Sequence, residues 1–170
     1  MDFEPDDGVI ARLVAAAAPL PPGLAELIAA PRTGDPQVSE LWRVGRHEAQ
    51  LAWVRRVFPD GVADVIPVTL QVQHADVNWL LLPPESSPLA MELGVVTSLR
   101  THIVVEAFLN RMAVLPIGPP VAEVMAAVRD GRAPVGVRTG PVEPVDDQAA
   151  FEFRQSLRAV YYPLTPSAWA

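Results

Sequence analysis

Residues 41–82 read LWRVGRHEAQLAWVRRVFPDGVADVIPVTLQVQHADVNWLLL. Four apolar runs, Leu41–Arg46, Gln50–Phe58, Val62–Gln73 and Val77–Leu82, are punctuated by Gly45-Arg46-His47-Glu48, Pro59-Asp60-Gly61 and His74-Ala75-Asp76, residue types that reverse a chain. In Val65–Gln73, the apolar Ile66, Val68, Leu70 and Val72 alternate with Val65, Pro67, Thr69 and Gln71, so one face of the strand is apolar and the other mixed. Short strands joined by tight turns pair antiparallel, and the stretch predicts a small, strongly bent sheet. Pro67 has no backbone N–H to give to a ladder, which puts it at an edge or a bulge.

Working outward, Val95–Thr101 reads as the last strand. Val104, Val105, Phe108, Leu109 and Met112 then fit one side of a closing helix, with strand as the alternative up to Val105. Upstream, Asp6 or Asp7 caps an expected helix over 8–18 whose Ile10, Leu13, Val14 and Ala17 share a face. A second short helix over 22–30 turns Leu24, Leu27 and Ile28 inward. Downstream, Val121, Val124, Met125 and Val128 mark a helix ended by Asp130-Gly131. Residues 132–146 run extended, and a last helix follows Asp146-Asp147 with Phe153, Leu157, Val160 and Tyr161 on one face, closed by Pro163. The expected organisation is a helical N-terminal arm over 1–37, a core with its closing helix over 38–131, and an extended segment with a C-terminal helix over 132–170.

Half of the 170 residues are apolar, enough for one core, and the absence of cysteine excludes disulfides, thiolate metal sites and a cysteine nucleophile. No apolar run approaches membrane-spanning length and the first residues are acidic, so a cytoplasmic protein without a membrane partner is expected. His47, His74 and His102 stand far apart in sequence and outside any metal-binding pattern, and no phosphate-cradling glycine loop occurs; neither metal nor cofactor is expected. All 13 basic residues are arginine, and the net charge of −7 opposes the basic footprint of a nucleic-acid binder. Arg43, Arg46, Arg55 and Arg56 form the one local basic cluster, read as a solvated face of two paired strands. Arg100, emerging from an apolar strand, needs a partner, with Glu92 or Glu106 in reach by sequence or an anionic ligand in their place. Trp42, Trp53, Trp79 and Phe58 belong to the core, whereas Trp169 near the C-terminus reads as an interface anchor.

Three short motifs resemble the MazF/PemK-like toxin family of SH3-like barrels from toxin–antitoxin modules. They are Glu40-Leu41-Trp42-Arg43-Val44, Val65-Ile66-Pro67-Val68-Thr69, and Leu99-Arg100-Thr101 followed by Phe108-Leu109-Asn110-Arg111-Met112, the likeness covering about residues 39–130. The expected fold is α+β, a small bent antiparallel sheet or SH3-like barrel with the helical N-terminal arm and C-terminal helices read from the spacing, and the resemblance implies the barrel. It also implies endoribonuclease chemistry from an arginine in an Arg-Pro motif acting with a third-strand threonine. Thr69 matches that threonine, but Ala49-Gln50 stands where Arg-Pro is expected, leaving Arg46 to reach in from the turn. The favoured reading is therefore a non-catalytic or degenerate barrel that binds a protein partner or itself, through Trp169, Tyr161, Arg55 and Arg56. The alternatives are an RNA-cleaving toxin using Arg46, Thr69 and Arg100, and an assembly protein that forms an oligomer.

Overall fold

The computed structural model describes residues 23–46, 49–114, 121–144 and 146–166. The expected first helix over 8–18, His47 and Trp169 lie outside them. Seven strands form one antiparallel sheet: β1 (Glu40–Val44), β2 (Gln50–Val57), β3 (Val62–Thr69), β4 (Trp79–Leu82), β5 (Leu93–Val96), β6 (Thr101–Val104) and β7 (Phe108–Val114). Their order is β4-β5-β3-β2-β1-β7, with β6 on the same side of β3 as β5. Among the described residues three α-helices, α1 (Leu24–Ala29), α2 (Val121–Arg129) and α3 (Asp147–Tyr161), complete the α+β architecture.

The sheet is bent without closing into a hydrogen-bonded barrel. β6, which pairs with β3, passes through a single 3-10 turn at Val105–Ala107 into β7, which pairs with β1 at the far end of the order. Three residues cannot span a flat sheet, so the sheet must curl.

Every residue of β3 is buried, because both faces of the sheet are covered. On one face Trp42, Val44, Val54, Val65, Trp79 and Ile103 pack with Leu157 and Tyr161 of α3. On the other, Leu41, Trp53, Ile66, Val68 and Val95 pack with Leu24 of α1 and Met125 of α2. The three strand tryptophans are buried as expected. α3 is fastened by polar contacts as well. Phe153 stacks on His74 at 4.8 Å, Arg154 pairs with Asp76 at 3.1 Å, and the Tyr161 hydroxyl donates to the Leu51 carbonyl. Asp146 caps its start by accepting from the Ala149 N–H at 2.9 Å.

Five expectations are corrected. Val95–Thr101 is not one last strand: it spans the end of β5, a turn over 97–100 and the first residue of β6, and β7 follows. The run Val62–Gln73 is strand only to Thr69, with a 3-10 turn at Val72–His74. Phe108–Met112 is strand, not helix: Phe108 and Met112 are spaced by four, which fits a helix turn and two strand repeats equally. The residue that would have shown the alternation, Asn110, is polar yet buried, its amide donating to the Leu27 carbonyl at the end of α1. Pro67 lies in the central strand rather than at an edge or bulge. It falls where β3 lacks a neighbour on one side, since β6 pairs with Val62–Val65, β5 pairs with Val68 and Thr69, and residues 97–100 leave the ladder between them. Leu27 and Ile28 are more than one-third exposed; only Leu24 of that helix is buried.

Candidate functional site

Two features stand out at opposite ends of β3. At its C-terminal end, a cleft of about 410 Å³ opens between α1 and the ends of β2 and β3, with Leu24, Leu51, Val68, Leu89 and Met112 as apolar walls and Arg43, Gln50, Thr69 and Gln71 as polar ones. Leu70 and Ile28, both exposed, stand at its rim. The Thr69 hydroxyl is buried and accepts from the Gln71 N–H at 3.0 Å, while Arg43 donates to the Ile28 carbonyl and thereby satisfies an orphan group at the end of α1.

At the other end, Asp64 is the lone charge in an otherwise apolar strand and is 1 % exposed. Burial of an unpaired carboxylate is costly, and two local irregularities supply its partners. A bulge in β2 sets both Arg55 and Arg56 opposite Asp64, and Arg55 reaches it at 3.4 Å. The break between β5 and β6 brings Arg100 over the same carboxylate with two bonds, Nε to Oδ1 at 2.8 Å and Nη2 to Oδ2 at 2.6 Å. Arg56 itself lies over the Phe58 ring at 4.8 Å.

The residues singled out in the sequence are thus distributed. Thr69 lines the cleft; Arg100 is held by Asp64, not by Glu92, which pairs with Arg138, nor by Glu106. Five positions along one strand separate Asp64 from Thr69, roughly 16 Å. Arg46 is exposed in the turn and lines neither feature. Of the residues assigned to protein binding, Arg55 joins the Asp64 cluster, Arg56 is exposed, and Tyr161 is buried under the sheet, where burial pushes its phenol pKa well up. Tyr161 is therefore a core residue in this chain and not a surface anchor. Sequence reasoning missed Asp64, whose signal was available: a single acid within eight residues of buried strand must have a cationic partner.

A third polar group ties β1 to β7. Glu40 accepts from the Trp42 indole N–H and the Gln37 N–H, each at 2.8 Å, and from Arg111 at 3.0 Å. Burial alone would raise its pKa, but these donors outweigh it and hold the carboxyl below the ordinary value.

Among the described residues no cluster of three or more His, Asp or Glu is arranged to hold a metal ion, and no helix is long and apolar enough to cross a membrane.

No protein family and no curated protein matches the sequence. Among solved structures, the chain is similar to one described as an endoribonuclease in complex with its cognate antitoxin from a mycobacterial species. That alignment has 14% identity and a TM-score of 0.43, and covers 60% of this chain and 98% of the other.

Proposed function

We propose that this chain works as a protein-binding module, a non-catalytic MazF/PemK-like component of a toxin–antitoxin-type or related regulatory system, with the cleft at the end of β3 as its binding surface. The observation that carries the reading is the separation of Thr69 from Arg100. Cleavage of a phosphodiester requires a base or nucleophile positioner and a cation to act on one phosphate within hydrogen-bond reach. Here the threonine oxygen accepts from a backbone N–H at one end of β3, and the arginine is paired with a buried carboxylate at the other. The cleft offers apolar walls with a few polar groups, the composition that takes up a side chain or two of a peptide. The three motifs that resemble the toxin family fall on β1, β3 and β6–β7, so the likeness lies in strands that build the sheet.

The test is affinity purification of the tagged full-length protein from its native cells, with and without RNase, alongside Leu70→Glu and Arg46→Ala. Leu70 is exposed at the cleft rim, so its replacement leaves the core intact. A stoichiometric protein partner that survives RNase, is retained by Arg46→Ala and is lost from Leu70→Glu is expected. Cleavage of added RNA that disappears in Arg46→Ala or Thr69→Ala would overturn the reading in favour of a nuclease.

A further inference from the structure

Beneath α2, a small cavity of about 170 Å³ is lined by Arg55, Arg100 and Arg129 together with Thr97, Ile66 and Met125. It lies at the Asp64 end of β3, away from the proposed peptide cleft, and is independent of that reading. From this geometry we infer that it is a binding site for a phosphate dianion, either free phosphate or the terminal phosphate of a monoester.

Charge is the first argument. Asp64 neutralises one of the two guanidiniums bonded to it, and Asp130 is shared between Arg129 and Arg132. With Arg132, which pairs with Asp130 outside the cavity lining, four guanidiniums against two carboxylates leave two positive charges at this end of a protein whose net charge is −7. A phosphate monoester carries about −1.5 to −2 at neutral pH, which matches that surplus; a lone carboxylate or an internal phosphodiester carries half of it.

Preorganisation is the second. Asp64, buried and held by the backbone of β3, grips Arg100 by Nε and Nη2 and so fixes the plane of its guanidinium, leaving the Nη1 edge for another acceptor. Arg55 spends one Nη1 donor on Asp64 at 3.4 Å, and Arg129 spends Nε on Asp130 at 3.4 Å. Each arginine therefore keeps N–H groups for an anion, and planar forks of this kind suit phosphate oxygens. Size is the third: the cavity has room for on the order of five waters, enough for one phosphate and too little for a nucleoside.

The experiment is a titration of the full-length protein with inorganic phosphate at neutral pH and low salt, followed by calorimetry and by NMR of the arginine Nε–H groups. Saturable one-to-one binding that shifts the Nε signals of Arg55, Arg100 and Arg129 is expected, with sulfate competing and acetate much weaker. Arg129 is half exposed at the surface, so Arg129→Gln should fold normally and lose about tenfold in affinity. Arg138→Gln removes the same charge outside the cavity, from the pair with Glu92, and should bind as the parent does. Methyl phosphate separates the sources: tighter binding than inorganic phosphate identifies an ester ligand, weaker binding free phosphate. Absence of saturable binding at millimolar phosphate overturns the proposal. So would equal affinity for acetate, or equal losses in Arg129→Gln and Arg138→Gln, since net charge alone would then account for the interaction.

Discussion

Single buried polar groups carry much of the specificity of this fold. Glu40 has its pKa held below the ordinary 4.5 by its donors, against the upward push of burial. A carboxyl depressed in the folded state contributes stability that is complete above its unfolded pKa and is lost as pH falls through the folded one. The urea midpoint of the wild type should therefore decline between pH 5 and pH 3 (about the span set by such carboxyls) more steeply than that of Glu40→Gln. Asp64 gives a second test. Arg100→Ala leaves the buried carboxylate with Arg55 alone, and a loss of about 1–3 kcal/mol in urea unfolding is expected. That is less than for a fully buried pair, since Arg100 is half open to solvent. Gly140 is constrained differently, because a Cβ there would press on the Asp76 carbonyl and the backbone of Ala75. Gly140→Ala should destabilise more than Gly94→Ala, whose Cβ meets the Trp79 ring at 2.8 Å, because a side chain can yield where backbone cannot. Melting temperatures of the two variants decide the order.

At the scale of elements, β3 and α3 define the molecule. β3 is central and buried on both faces, yet its partner on one side is split into β5 and β6, and Pro67 occupies the gap. α3 brings Ala150, Leu157 and Tyr161 onto the sheet and leaves Phe151 exposed, as is Tyr162 just beyond it. Its apolar face is thus spent on the chain's own core. Tyr161→Phe removes the donor to the Leu51 carbonyl while keeping the ring, and a loss of about 1 kcal/mol is expected. Tyr161→Ala also deletes a fully buried ring and should cost about 3–5 kcal/mol, a contrast readable by chemical denaturation. Had α3 been a partner-binding arm, both substitutions would be nearly silent in the isolated protein.

The whole molecule combines an overall negative charge with local positive features on β2, in the turn before β6 and on α2. Binding at the peptide cleft, whose walls are largely apolar, should change little with salt, whereas phosphate binding near Asp64 should weaken steeply as ionic strength rises. Isothermal titration at low and high salt separates the two surfaces. The sequence by itself determined β1, β2 and β4, the start of β3, the span of α2 and α3, the buried tryptophans and the α+β class. Alternation, helical spacing, caps and turn residues such as Pro59-Asp60-Gly61 act within a few neighbours and leave a local record. Only the tertiary structure decided that β7 is a strand, because its four-residue spacing is common to both periods and its stability comes from the ladder to β1. It alone brought Arg100 to Asp64 across 36 residues and kept Thr69 apart from both. Those meetings depend on a bulge, a broken strand and the register between neighbours, which are set by packing over the whole sheet and have no signature in the residues that meet.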